Sequence, residues 1–220
     1  MKQSWAFNPA FCTAIFLSSI AFAQTADPNR FQQFLASDFH KGLVMRALSL
    51  IPKDVFQTCP TLKSSRPAVA VTRPVTFGQD GRMTSGVWWE RLPVSGCNND
   101  TVLNIFFAVS SDSKINTTTG HPGTTHADLV LQHDALQYAY QAAATQGKAC
   151  NHFDVMNTRF EGYGLKKPPT PDPGVGSRFR PWWEAWTIIG CGHLYDMPMN
   201  FIPDQTGTTI AVPLGDTIEQ

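Results

Sequence analysis

Positive charge is thin and scattered in this sequence. Its 17 basic and 17 acidic residues form no lysine or arginine cluster and no basic half, so nucleic acid would meet no surface able to neutralise its phosphates. Catalytic fingerprints are missing as well. There is no Gly-x-Ser-x-Gly elbow, no phosphate-cradling glycine loop, no dinucleotide fingerprint and no His-Glu-x-x-His zinc motif. No cofactor is therefore expected. Beyond residue 23 no apolar stretch reaches the length of about 20 residues that spans a bilayer.

Apolar residues concentrate at one place, the N-terminus. Lys2 supplies a positive charge, Phe11 to Phe22 an apolar run, and Ala21-Phe22-Ala23 the small-x-small spacing of a cleavage site. The run is short for an anchor and is interrupted by Ser18 and Ser19. The expectation is a signal peptide over residues 1–23, removed on export to the periplasm or the medium. Cleavage would also remove Lys2 and Cys12, leaving 16 basic against 17 acidic residues and four cysteines, Cys59, Cys97, Cys150 and Cys191. An even cysteine count in an exported chain points to disulfides. The nearest two of the four lie 38 residues apart, unlike the close pairs that hold structural zinc.

The sequence also repeats itself. Trp88-Trp89-Glu90 precedes Gly96-Cys97, and Trp182-Trp183-Glu184 precedes Gly190-Cys191, with Glu and Cys separated by 7 residues in both blocks. Each block follows another cysteine, and each of those follows a helical stretch. The first helix is expected from Asp27-Pro28 to Pro52, with a break near Ser37-Asp38 and Gly42. The second is expected from Thr125 or Asp128 to Gly147, with an apolar stripe of Leu129, Leu136, Ala139, Tyr140 and Ala143. Strands are expected over 69–77, 102–109, 152–160 and 197–202, a further one over 208–212, and a surface loop over the proline-rich 165–180.

These readings give an α+β fold of two tandem α-β-β-β repeats, 24–115 and 125–220, joined by a turn-rich linker at 116–124. The two units are expected to form one antiparallel sheet with the helices on one face and an approximate twofold axis. Pairing Cys59 with Cys97 and Cys150 with Cys191 would staple each unit, although the two cross-repeat connectivities respect the symmetry equally. The loop-entropy model gives each such bridge about 4 kcal/mol.

Strand alternation places Trp88, Glu90, Leu92 and Val94 on one face, and Trp182, Glu184, Trp186 and Ile188 likewise. An acid thus sits inside an apolar row in both repeats. Glu90 and Glu184 are candidate acid–base groups for a cell-envelope hydrolase, with a structural role as the competing reading. Trp89, Trp183 and Arg91 lie on the opposite face, where they would stack on a sugar or anchor a protein partner, or else fill a core. The histidine group His121, His126 and His133 lacks the spacing of a metal site. The functional expectation is a disulfide-bonded exported binding protein for a protein or glycan; the alternatives are the hydrolase and a structural envelope component without a ligand.

Overall fold

Asp27 opens the first helix, α1 (Pro28–Ala36), by accepting the Arg30 N–H at 3.0 Å. Pro28 sits in the first turn, where its missing N–H costs nothing. The expected break falls at Ser37, which ends α1 in an extended conformation and caps α2 (Asp38–Leu48) by accepting the His40 N–H. The third helix, α3 (Leu129–Ala144), is capped by Asp128, whose side chain accepts the Leu131 N–H at 2.9 Å. Its buried face is Gln132, Ala135, Ala139, Ala142 and Ala143. Ala139 and Ala143 of the expected stripe lie in that face, and Leu136 and Tyr140 pack at its margin.

The computed structural model describes residues 27–51, 61, 63–96, 99–145, 150, 152–166, 180–213 and 218–219. Among these, the fold is mixed α+β with three helices and two antiparallel sheets. The first sheet contains β1 (Lys63–Ser64), β2 (Ala68–Phe77), β3 (Met83–Gly96), β4 (Asn99–Val109) and β5 (Ile115–Thr119). The second contains β6 (Phe153–Tyr163), β7 (Trp182–Gly190), β8 (His193–Pro203), β9 (Thr208–Ala211) and β10 (Ile218–Glu219). From Gly86 to Val94 every second residue of β3 is buried, Trp88, Glu90, Leu92 and Val94 among them, and from Glu184 to Gly190 every second residue of β7, including Trp186 and Ile188. The period-two reading of both strands therefore holds.

Each sheet has its own helical cover. The α1–α2 pair packs Phe31, Leu43 and Ala47 against Trp88, Ile105 and Phe107, with Trp88 and Phe107 stacked at 4.9 Å and Phe31 edge-on to the indole. Helix α3 covers Trp186, Ile188, Met197 and Phe201, and Tyr140 donates its hydroxyl hydrogen to the Phe153 carbonyl at 2.8 Å. Ahead of β6, Cys150 is bonded to Cys191. Cys191 and Gly192 form a two-residue hairpin turn with φ of 49° and 82°, the left-handed pair that a tight turn between twisted strands needs. The expected Cys59–Cys97 bridge, the signal peptide, the Gly147 cap and most of the 165–180 loop lie outside the described residues.

The expectation of one continuous sheet is corrected: there are two. The reason lies in residues 116–124. Their first part is the end of β5, and the following segment is wedged between β4 and β6, taking the edge hydrogen bonds of both strands. The Gly123 N–H goes to the Val102 carbonyl and the Thr158 N–H to the Pro122 carbonyl, both at 2.7 Å, while the Thr124 N–H returns to the Thr158 carbonyl. Buried Asn104 donates to the carbonyls of His121 and Gly123. Beyond this segment, Thr101 reaches across to the Asn157 side chain at 3.0 Å.

Gly123 is the point where this seam tolerates least change. Its φ is 110°, and a Cβ placed on it would overlap the Thr158 backbone. Gly123→Ala should therefore lower unfolding free energy by about 3 kcal/mol or more, from strain and overpacking combined. Gly42, in the exposed middle of α2, has open space around it. Gly42→Ala should instead stabilise by about 0.5–1 kcal/mol. Urea titration of the two variants beside the parent measures both signs.

Candidate functional site

The two glutamates of the repeated blocks are buried, at 1% and 0% exposure, and each has its own set of partners. Glu90 accepts the Trp88 indole N–H at 3.0 Å and shares a 2.7 Å hydrogen bond with Nε2 of His40, which descends from α2. Glu184 accepts three N–H groups: the indoles of Trp182 and Trp186, at 2.9 and 2.8 Å, and the His126 backbone at 2.8 Å. A buried carboxyl group without donors would be strongly destabilising. Both are satisfied locally, in separate sheets, and the structure does not bring them together as a pair facing one substrate.

Trp89 and Trp183 occupy the opposite faces of their strands and are half-buried. Each has a cation over its ring. The Arg91 guanidinium lies 4.4 Å from the Trp89 ring, and the Lys166 ammonium 4.6 Å from that of Trp183. Neither indole presents two open faces for stacking, and the two belong to different sheets. Arg91 does join the halves: its Nη2 donates to the Thr125 carbonyl at 2.9 Å, and its charge acts on His126 and Glu184. Among the described residues, Nε of Arg91 and Oδ1 of Asn104 are the buried side-chain atoms left without a hydrogen-bond partner. Arg91 and Asn104 stand opposite each other on β3 and β4.

The seam carries two histidines of different character. His126 stacks on Phe160, with ring centroids 3.8 Å apart. Burial, and then the nearby Arg91 charge, holds it below its ordinary pKa, against an opposing pull from Glu184. His121 packs edge-on to Trp186, and burial pushes its pKa down to about 4. His133 is exposed on α3. Among the described residues no three His, Cys, Asp or Glu side chains converge as a metal ion would require.

Where the first sheet tapers beside β6, a cleft of about 570 Å³ opens. Its walls include Ser64 of β1, Ser95 of β3, Asp100 and Thr101 of β4, and Asn157 and Arg159 of β6. Both halves contribute, hydroxyl, amide and charged groups are interspersed with apolar surface from Pro93, Val94 and Val102, and no aromatic side chain lines it. Composition and spacing single out none of these residues, because their meeting depends on how the seam folds. The Pro122-Gly123 pair is the one available signal, and by itself it reads as a surface turn. No family model, curated protein or solved structure matches the chain.

Two measurements follow from these environments. Glu184→Gln places an amide N–H₂ where N–H donors converge, and should cost about 2–3 kcal/mol of stability in denaturant unfolding. His121 gives a pH dependence whose sign is fixed. Its native pKa is depressed, so between about pH 6.5 and 4 the unfolded chain binds a proton that the folded one does not. Stability from this residue is complete above that window, is lost as pH falls through it by up to about 3 kcal/mol, and levels off below it. Subtracting the stability–pH curve of His121→Phe from that of the parent isolates the contribution.

Proposed function

We propose that this chain is an exported, disulfide-bonded binding protein made of two copies of one α/β unit, and that it holds a segment of a protein ligand in the cleft at their junction. The duplication is supported by strand register. Trp88, Glu90 and Gly96 stand opposite Phe107, Ile105 and Asn99, while Trp182, Glu184 and Gly190 stand opposite Phe201, Met199 and His193. Every one of the six positions is displaced by 94 residues (182 minus 88, 201 minus 107, and so on). The indole-to-glutamate hydrogen bond also recurs two residues apart in both halves. Export rests on the N-terminal pattern and is supported by the Cys150–Cys191 bond. Among the described residues no helix is long and apolar enough to cross a membrane.

The cleft carries the binding reading, because a concavity between two structural units is where ligand sites commonly form. Protein is preferred to glycan as the ligand because the walls combine hydroxyls, an amide and charged groups with apolar surface, as a peptide segment does, and offer no aromatic platform. The arrangement of Glu90 and Glu184 favours the structural reading of those residues over a hydrolase.

A photo-crosslinking amino acid at exposed Ser95 should capture a discrete protein adduct in the native cell envelope, whereas the same probe at exposed Tyr138 on α3 should not. Ser64→Arg together with Ser95→Arg, which fills the cleft from two exposed positions, should abolish the interaction at unchanged stability. A saturable glycan-array signal lost in that variant, with no protein adduct, would transfer the ligand class to glycan. Neither signal would remove the binding assignment.

A further inference from the structure

A second concavity lies at the other end of β3. A groove of about 950 Å³ runs between the α1–α2 elbow and the turns that join β2 to β3 and β4 to β5. Its apolar lining comes from Phe34, Phe39 and Leu43 on the helical side and from Phe77, Met83 and Ile115 on the sheet side. Phe39 is 64% exposed and meets the Phe34 ring edge-on, leaving much of its own ring open to the groove. Four cations, Arg30, Arg46, Arg82 and Lys114, line the same groove against a single carboxyl group, Asp112.

The three arginines are held more loosely than Lys114, although Arg30 also lies 5.5 Å from the Phe77 ring and reaches the Gly78 carbonyl at 3.5 Å. Lys114 pairs with Asp112 at 2.6 Å, but the Arg30–Asp27 and Arg82–Asp80 separations are 3.8 and 3.7 Å, and all are exposed pairs of small energetic weight. Arg46, in the last turn of α2, has no side-chain ion pair or hydrogen bond with any described residue. An apolar trough ringed by positive charge is complementary to a molecule with an apolar body and an anionic end. The volume is that of a small-molecule site, and the cations come from four separate chain segments that surround the trough instead of forming one stripe along a flat face.

We propose that this groove binds a free single-chain amphiphile with an anionic head group, its chain lying along Phe34, Phe39 and Leu43 and its head held by Arg46 and Arg82. The site is independent of the cleft between the two sheets.

Calorimetric titration of the purified protein with laurate, below its micellar concentration, tests the proposal. One saturable site is expected, with dodecyl maltoside and dodecyltrimethylammonium bound at least tenfold more weakly. Arg46→Glu combined with Arg82→Glu should weaken laurate at least tenfold, and so should Phe39→Asp. All three positions are polar or exposed, and a thermal melt checks that these variants remain folded. Ser64→Arg with Ser95→Arg in the distant cleft should leave laurate affinity unchanged. No saturable laurate binding, equal binding of the three head groups, or an affinity within twofold of the parent after double charge reversal would each overturn the assignment. Co-sedimentation with phosphatidylglycerol vesicles without binding of free laurate would overturn it too, since the surface would then recognise a bilayer.

Discussion

A carboxyl group in the middle of an apolar sheet face has to find donors where water cannot reach, and in this protein that requirement decides how helices attach to strands. Glu90 and Glu184 both sit in rows of buried aromatics and aliphatics. Each takes an indole N–H from the tryptophan two residues before it, on the same face of its own strand. The other donors are His40 from α2 in one half, and in the other the Trp186 indole of the same strand and the backbone N–H of His126, just ahead of α3. Hydrogen bonds to a buried acid are directional where apolar packing is not. They therefore fix the position of each helical segment over its sheet, while the surrounding hydrophobic contacts supply most of the favourable free energy.

The same principle governs the junction. A strand edge that is neither solvated nor paired leaves backbone groups unsatisfied, and both β4 and β6 have such edges facing the interior of the molecule. Residues 120–124 answer both at once. Val102 and Asn104 receive N–H groups from Gly123 and Gly120, while Thr158 exchanges hydrogen bonds with Pro122 and Thr124. A direct β4–β6 pairing would have produced one sheet. The intervening segment produces two, and the cleft at the taper of the first sheet follows from that interruption.

Much of this architecture was legible in the sequence because it is local. The Asp27-Pro28 start, the break at Ser37 and the alternation along β3 and β7 depend on neighbours within a few residues, and the pattern of polar and apolar positions reports them directly. The strand formed by residues 115–119 escaped notice because Asn116-Thr117-Thr118-Thr119 carries few large apolar side chains; it forms by pairing with Ile105 to Val109. In α3 the stripe through Ala139 and Ala143 is legible, whereas buried Gln132, Ala135 and Ala142 are not, because polar and small residues add little to a hydrophobic stripe even though close approach to a sheet selects small ones. At the seam, Arg91, Trp89, Thr125 and His126 could each be named from the sequence, but not their meeting with one another or with Asn104. Their proximity depends on a chain crossing that no spacing encodes.

The distribution of satisfied and unsatisfied polar groups bears on where binding can occur. Glu184 has three donors on two oxygens, and both glutamates are sealed from solvent, so neither is free to exchange a proton with a substrate without first breaking the contacts that organise its half. Solvent-exposed polar and charged groups line the two concavities instead, near Ser95 in one and near Arg46 in the other. These two regions stand at opposite ends of β3 and are supported by the same row of buried side chains from Met83 to Val94. Both regions thus draw on one central strand of the first sheet. A substitution in the row should therefore disturb both surfaces together, whereas one at either tip should disturb its own.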